Sequence, residues 1–389
     1  MLYRTLGSTG VDVSVLGFGC MRLPMIDAAQ EKHSDLRPGT IDVEAATAML
    51  HRAIDGGVNY VDTAWFYHGD AIGQAGQSEP FVGEALSGGW RDRVNLATKL
   101  PVAILKEADE MERLLEAQLE RLRTDHLDFY LLHGLTGESF DRVRGLGALE
   151  FLDRVRADGR VRFPAFSFHG QAPDFPRIID AYDWAFGQIQ YNYMDVDYQA
   201  GHAGLRYAAD RGVGVVVMEP VKGGKLAANL PAEAQGVFDR AAEKRTPAEW
   251  ALRYVWNEPG VSMALSGMST MQQVEDNLAA AGHGLAGSLT AEELTLFDEV
   301  RVTVRARSRA DCTGCRYCQP CPSGVEIPRV LASLNAAAMW DDPDQWMAGY
   351  TQVKGGAALC SECGQCEEMC PQGLPIRDLM KEAAALFGR

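Results

Sequence analysis

Cysteine is almost absent from the first three hundred residues, where Cys20 stands alone among the nine cysteines of the 389-residue chain. Long apolar runs are absent too, and none reaches the roughly 20 residues of a membrane-spanning helix. The N-terminal stretch lacks the apolar core of a signal peptide. We therefore expect no membrane partner and a cytoplasmic location. Clustered thiols there are more often metal ligands than disulfides.

Basic residues are in deficit, because 37 Lys and Arg face 53 Asp and Glu, for a formal net charge of -16. An acidic surface repels phosphate backbones, so we expect no nucleic-acid partner. Global disorder is excluded by a composition that is 47% hydrophobic and 23% charged, which is ample for a large core.

Short apolar runs alternate with amphipathic helical patterns up to about residue 300. The runs are VSVLGFGC, VNYVDTA, VNLATKL, LDFYLLHG, RFPAFSF, GQIQYNY, GVGVVVMEP and VSMALSGM. Short buried strands that alternate with helices indicate a parallel sheet, and eight of them predict a closed (β/α)8 TIM barrel. A doubly wound sheet is the alternative, but LGFGCMR matches its glycine-rich fingerprint poorly.

Composition changes near residue 305, after a last helical pattern with a basic tail. We therefore predict a barrel over residues 1–305 and a small, mainly α-helical ferredoxin-like domain over 306–389, which holds eight of the nine cysteines. Trp340 and Trp346 are expected to pack the second domain onto the first.

The C-terminal cysteines form two groups, each of which ends in Cys-Pro. The groups are Cys312, Cys315, Cys318 and Cys321, then Cys360, Cys363, Cys366 and Cys370. The second has the spacing of the bacterial [4Fe–4S] run, in which the fourth cysteine binds the other cluster when two are present. The preferred assignment is crossed, with Cys370 completing the first set and Cys321 the second.

The first group departs from the standard run, because its last gap is two residues instead of three. It is therefore open whether Cys321 stays with its own group. Two structural zinc sites are the alternative to two [4Fe–4S] clusters, since CxxC pairs also bind zinc. Disulfides are a minor alternative, and Cys20 is expected to be an ordinary buried thiol.

Four polar residues fall at or just after the ends of three consecutive predicted strands, namely Asp62, Tyr67, Lys99 and His133. In a (β/α)8 barrel these strand ends share one rim, where the chemistry takes place. A tyrosine is a poor acid at neutral pH, but a nearby ammonium stabilises its phenolate. Asp62 would hold Lys99 charged, and His133 would orient a carbonyl oxygen. The set predicts a proton donor aimed at a developing alkoxide.

These stretches, with LGFG at Leu16 and the closing LSGMSTMQQVEDN, resemble the aldo-keto reductases, in order, over roughly residues 1–300. The resemblance implies a TIM barrel, a nicotinamide cofactor, a small carbonyl substrate, and Tyr67 as the general acid with Asp62, Lys99 and His133 in support. The cysteine domain is similar to that of the ferredoxin-like (4Fe–4S) subset of the family.

The resemblance also implies cofactor-binding positions. They are Ser167, His169, Gln188, Met218, Lys225, Ser269, Gln273 and Asn277. Met218 stands where many members place a stacking aromatic residue. Gly267 and Gln273 replace the lysine and arginine of the adenosine end, so the cofactor is left as NADP(H) or NAD(H).

Three functions are compatible with these features. In the first, the clusters feed or drain electrons at the barrel site, with a ferredoxin-type donor or acceptor as partner. In the second, an NAD(P)H-dependent carbonyl reductase carries purely structural clusters. In the third, a redox-sensing protein binds a nicotinamide and turns over little. Nicotinamides transfer hydrides and clusters transfer single electrons, and the sequence offers no flavin motif to mediate between them.

Overall fold

The computed structural model describes residues 1–26, 39–70, 74–228, 230–340, 347 and 349–388. These residues divide into two compact units. The described residues of 1–223 and 248–290 form the first unit, and those of 224–247 and 291–388 form the second. The predicted boundary at residue 305 thus differs from this division, which places the helix Ala291–Arg305 in the second unit.

The first unit contains a closed barrel of eight parallel strands. The strands are β3 (Leu16–Gly19), β4 (Tyr60–Asp62), β5 (Asn95–Leu100), β6 (Leu127–Leu135), β7 (Val161–Phe168), β8 (Phe186–Gln190), β9 (Gly214–Met218) and β10 (Met263–Ser266). They pair in chain order, and β10 closes the barrel between β9 and β3. Each coincides with one of the eight apolar runs or extends one residue beyond it, so the TIM-barrel prediction is confirmed.

Helices connect most of the strands. In the first unit they are Val43–Asp55, Ser78–Ala85, Glu110–Leu122, Gly137–Gly145, Ala148–Ala157, Asp174–Ile179, Gly201–Ala209, Pro247–Asn257 and Met271–Ala281. The longer ones are amphipathic: on Glu110–Leu122, Met111, Leu115 and Leu122 are buried, and most of the charged residues face solvent. Throughout the described chain, every helix is too short or too polar to span a membrane.

The second unit is mainly helical, as predicted for the C-terminal region. Its helices are Lys225–Ala228, Ala232–Phe238, Ala291–Arg305, Ile327–Met339, Gln365–Glu368 and Ile376–Phe387. A small core forms where Val330, Leu334, Tyr350 and Phe387 are buried, and six of the eight clustered cysteines pack against it. Trp340 is buried, and Trp346 lies outside the described residues.

A short antiparallel hairpin, β1 (Tyr3–Thr5) with β2 (Asp12–Ser14), precedes the barrel. From β1, the Arg4 guanidinium donates to the carbonyls of Val261 at 2.5 Å, Trp256 at 2.6 Å and Gly284 at 2.7 Å. Burial lowers the pKa of Arg4. The Arg4 side chain therefore anchors the hairpin to the helix Pro247–Asn257 and to the segments that follow the last two helices of the barrel.

We predict that Arg4→Ala destabilises the barrel by about 3 kcal/mol, because it leaves several carbonyls without a donor. Urea unfolding followed by tryptophan fluorescence measures the loss. Arg52→Ala is the matched control, since the Arg52–Glu275 ion pair is half exposed and its removal costs less than about 1 kcal/mol. Equal losses in the two variants would contradict the anchoring role.

Candidate active site and cysteine-lined cavities

Lys99, on β5, is the centre of the site at the C-terminal ends of the strands. Its ammonium donates to Asp62 Oδ1 at 2.6 Å, to the carbonyl of Thr63 at 2.8 Å and to Tyr67 Oη at 3.1 Å. The Lys99 side chain is fully buried, and Asp62 is 2% and Tyr67 7% exposed. The structure thus brings together three of the four predicted catalytic residues.

Asp62 ends β4 and faces Lys99. Burial raises the pKa of its carboxyl group, and the Lys99 ammonium opposes that shift. Its second oxygen, Oδ2, is buried without a hydrogen-bond partner in the structure. The carboxylate therefore depends on Lys99 for its charge compensation, and each residue of the pair holds the other in place.

A β-bulge sets the position of His133, the fourth predicted residue. The register between β6 and β7 shifts between Leu132 and Leu135. Gly134 takes a φ of +66° there, which glycine adopts without strain, and its N–H donates to Ser167 Oγ at 2.8 Å. The His133 ring lies edge-on to Tyr67, with ring centroids 6.0 Å apart. Bulges commonly re-aim side chains beside active sites.

His133 is a neutral imidazole. Burial, together with the nearby Lys99 charge and His169, lowers its pKa well below the ordinary value. Its Nδ1 is buried and has no partner within the structure. A neutral ring keeps one N–H donor, which is what the orientation of a carbonyl oxygen requires.

A second buried carboxylate, Glu79, supports the strand that carries Lys99. Its Oε1 accepts from Thr98 at 2.7 Å and from Gln118 at 2.6 Å, and its Oε2 accepts from Arg121 at 2.9 Å. Gln118 also donates to the Lys99 carbonyl at 3.0 Å. The sequence analysis missed this network, because its members come from two helices and one strand.

The turn after β4 carries Tyr67, and hydrogen bonds connect this region to the segment that follows β3. His68 has a φ of +59°, and its Nε2 accepts from the Leu23 N–H at 3.3 Å. Cys20 donates its N–H to the Asp62 carbonyl at 2.8 Å. Burial raises the pKa of the Cys20 thiol, in agreement with the inert thiol expected from the sequence.

Three predicted nicotinamide contacts lie on neighbouring strands. Ser167 and Gln188 are register partners on β7 and β8, and Gln188 Nε2 lies 3.8 Å from the sulfur of Met218. Gln188 Oε1 is buried and unpaired in the structure. His169 is exposed just beyond β7, with Nδ1 3.3 Å from Gln199 Nε2.

Of the predicted adenosine contacts, Ser269 precedes the helix Met271–Ala281, Gln273 lies in its first turn and Asn277 lies near its middle. The Ser269 N–H donates to Gln273 Oε1 at 2.8 Å. Asn277 is 8% exposed and donates to Ser266 Oγ at 2.9 Å, so its amide nitrogen is used inside the fold. Lys225 opens the helix Lys225–Ala228 in the second unit.

Arg22 is a residue of this region that the sequence analysis missed. Its backbone carbonyl accepts from Ser269 Oγ at 2.6 Å, and its aliphatic stem lies within 3.2–3.3 Å of where a Cβ at Gly267 would be. Its guanidinium pairs with Glu219 at 3.5 Å. The sequence signal that could have identified Arg22 was a basic residue three positions after the end of the first barrel strand, β3. The Arg22 side chain thus packs against Gly267, and its guanidinium charge is paired with Glu219.

The clustered cysteines line two cavities in the second unit. The first, cavity A, is lined by Cys312, Cys315, Cys318 and Cys370. The second, cavity B, is lined by Cys321, Cys360, Cys363 and Cys366, and by Cys318 as well. Each cavity therefore contains thiols from both sequence groups, and Cys318 lies between the two.

All the cysteines carry free thiols. Within the described residues, no three His, Cys, Asp or Glu side chains converge as ligands of one metal ion. The thiols instead surround volumes, and four thiolates around a volume are the donor set of an iron–sulfur cluster. The donor chemistry of both cavities fits [4Fe–4S] groups.

Comparison with known proteins identifies both parts of the chain. Residues 16–301 match the model of the aldo/keto reductase family. The chain belongs to the aldo/keto reductase family. Residues 311–375 match the model of a 4Fe-4S dicluster domain. Family membership makes this reductase an oxidoreductase, and the resemblance inferred from its sequence is confirmed.

Relatives of similar sequence and of solved structure support the assignment. The uncharacterized oxidoreductase YqkF of Bacillus subtilis is 26% identical over 334 residues, which are 76% of this chain and 94% of the relative. L-galactose dehydrogenase of Arabidopsis thaliana is 25% identical over 303 residues, or 71% and 87% of the two chains. The structure of aldo-keto reductase AKR11C1 from Bacillus halodurans has a TM-score of 0.62 at 26% identity, covering 77% of this chain and 96% of the relative.

A further structure, an aldo-keto reductase from Klebsiella pneumoniae in complex with NADPH, has a TM-score of 0.58 at 25% identity. It covers 77% of this chain and 96% of its own. All these relatives align with most of their own length. The match to known reductases is therefore to whole proteins, and the dicluster domain is an additional part.

We predict that His133 contributes to the loss of stability in mild acid. The native state holds His133 neutral, whereas the unfolded chain binds a proton near pH 6.5. Stability therefore falls as pH drops below about 6.5, with a slope of up to about 1.4 kcal/mol per pH unit from this group. Urea unfolding from pH 7 to pH 5 measures the slope. His133→Gln is expected to flatten it.

The control for this test is His283→Gln, because His283 is exposed in the folded chain. We expect this variant to keep the wild-type slope of stability against pH. A His133→Gln variant that keeps the wild-type slope would show that His133 binds a proton as readily in the native state as in the unfolded chain.

Proposed function

We propose that the barrel reduces a small-molecule carbonyl compound with hydride from a nicotinamide cofactor, and that Tyr67 donates the proton. The observation that carries the proposal is the contact of the buried Lys99 ammonium with both Asp62 and Tyr67 Oη. In this arrangement one cation contacts both the phenolic oxygen and its own counter-charge, the Asp62 carboxylate.

The protein's groups act on the oxygen of the carbonyl. As hydride reaches the carbonyl carbon, negative charge develops on the oxygen, and Tyr67 transfers its phenolic proton there. The phenolate that remains is stabilised by Lys99, whose charge is maintained by Asp62. The neutral His133, placed by the bulge at Gly134, donates a hydrogen bond that fixes the carbonyl direction. The products are an alcohol and the oxidised nicotinamide.

The residues around Gln188 fit a nicotinamide, which supplies the hydride when bound. The unpaired, buried Gln188 Oε1 is an acceptor for the carboxamide N–H, and Ser167 Oγ is a donor. Met218 would pack on the ring through its thioether. His169, Ser269, Gln273 and Asn277 are the remaining proposed contacts of the first unit. Arg22 is the cation that we assign to the cofactor's phosphates. Both NADP(H) and NAD(H) are compatible with this set.

We further propose that the dicluster domain holds two [4Fe–4S] clusters with crossed ligation. Cavity A supplies Cys312, Cys315, Cys318 and Cys370, and cavity B supplies Cys321, Cys360, Cys363 and Cys366. The linings of the two cavities support this division, in which Cys321 binds with three cysteines of the second group.

The two halves handle electrons differently, and this restricts the proposal. A nicotinamide gives two electrons as hydride, whereas a cluster passes one electron at a time. We therefore assign the barrel reaction to the nicotinamide alone and assign the clusters to single-electron exchange with a ferredoxin-type partner. Aerobic loss of the clusters is then compatible with retained NAD(P)H-dependent turnover.

The experiment that tests the catalytic proposal is Tyr67→Phe, assayed with NADPH and NADH on a panel of small aldehydes and ketones. We expect kcat to fall about 10²–10⁴-fold, as for the loss of a general acid, with unchanged cofactor affinity. Tyr207→Phe is the control, because its hydroxyl binds Asp180 at the surface. Full activity of Tyr67→Phe would refute the role of Tyr67. No turnover by the wild type would favour the sensor function.

Crossed ligation is tested by two double variants prepared anaerobically and assayed for iron, starting from about eight irons per chain. Cys315→Ala with Cys370→Ala removes two ligands of cavity A, so about four irons remain. Cys315→Ala with Cys321→Ala removes one ligand from each cavity, so both clusters are lost. Ligation within each sequence group predicts the reverse. Cys20→Ala is the control and keeps all the iron.

A further inference from the structure

The two cysteine-lined cavities differ in their charged neighbours. Arg316 is the charged residue that lines cavity A, and Arg377 is the one that lines cavity B. Around both, the other lining residues are uncharged: examples are Pro328 and Leu331 in cavity A and Val325 and Met380 in cavity B. Each site therefore faces one guanidinium.

The guanidinium at cavity B is neutralised. Arg377 Nε and Nη2 donate to Glu367 Oε2 at 2.9 Å and 2.8 Å, and the Arg377 backbone N–H donates to Glu367 Oε1 at 2.8 Å. This pairing raises the pKa of Arg377 and lowers that of Glu367. The ion pair adds almost no net charge at cavity B.

The guanidinium at cavity A is not neutralised in this way. Among the residues that the structure describes, Arg316 forms no ion pair. It follows Cys315 on an exposed turn and has a φ of +66°. Asp311 precedes Cys312 in the chain but lines neither cavity. Cavity A therefore has one more uncompensated positive charge than cavity B.

We propose that this difference makes the two clusters inequivalent, with the higher reduction potential at cavity A. The inference rests on the proposed [4Fe–4S] occupancy of both cavities. Reduction adds one electron to a site that is already negative, and a nearby positive charge stabilises the reduced form. Because Cys318 lines both cavities, the sites are neighbours. An electron delivered to either cluster is then held mainly at cavity A.

The test is an anaerobic dithionite titration of the full chain, in which EPR gives the midpoint potential of each cluster. Two separate one-electron midpoints are expected. Arg316→Gln lowers the higher midpoint and leaves the other in place. Glu367→Gln frees Arg377 and raises the lower midpoint. Since each variant changes one midpoint, the variants also assign the midpoints to the cavities.

Arg329→Gln is the matched control, because Arg329 pairs with Glu326 in the same unit and lines neither cavity. It is expected to change neither midpoint. Added salt is expected to narrow the gap between the midpoints, since the charge of an exposed arginine is screened over about 8–10 Å at physiological ionic strength.

The outcomes separate this inference from the function on which it rests. A wild-type protein without about eight irons would refute the two-cluster assignment itself. Full iron with two equal midpoints, or an Arg316→Gln variant that keeps the wild-type gap, would refute the inference alone. If Arg316→Gln does not retain iron, the Glu367→Gln shift and the salt dependence decide.

Discussion

The structure of the active site depends on one buried ammonium group. Lys99 has three N–H donors, and the fold gives each an acceptor, namely the Asp62 carboxylate, the Thr63 carbonyl and Tyr67 Oη. An uncompensated buried charge costs several kcal/mol, so this arrangement is strongly specified. Tyr67 is positioned as the third acceptor of the ammonium, and in the proposed reaction the same contact stabilises its phenolate. Stability and chemistry use the same three hydrogen bonds.

Glu79 is a second buried charged group, and its hydrogen bonds connect the strand that carries Lys99 to the outer helices. Glu79, Gln118 and Arg121 come from two helices and meet against β5, where Gln118 binds the carbonyl of Lys99. Asp62 is paired with Lys99 at the strands, and Glu79 is paired with Arg121 in the helices. The position of Lys99 along its strand is therefore fixed from the barrel interior and from the helical layer. Such networks hold a unique geometry when every member is satisfied.

The barrel, and the location of the four proposed catalytic residues at its strand ends, were predictable because their signals are local. Each strand is a short apolar run, and Asp62, Tyr67, Lys99 and His133 fall at or just after strand ends that any (β/α)8 barrel gathers on one rim. The Arg22–Glu219 pair and the Glu79 network were not predictable from the sequence. The partners are 197 residues apart in the first and up to 42 residues apart in the second. Local periodicity carries no information on which distant side chains meet. The Gly134 bulge has a signal, the glycine after His133, but the sequence does not reveal its register shift.

The crossed arrangement of thiols has a physical basis in the size of the second unit's core. That core is small, and segments 312–321 and 360–370 contribute cysteines at its edge. If each cluster bound cysteines of one group alone, it would cross-link a segment only to itself. If each cluster binds cysteines of both groups, the two clusters form two cross-links between the segments. Metal-binding free energy becomes folding free energy when the site forms only in the folded chain. Under the proposed crossed ligation, two cross-links join these segments around a small core, and they stabilise the unit more than two local loops would.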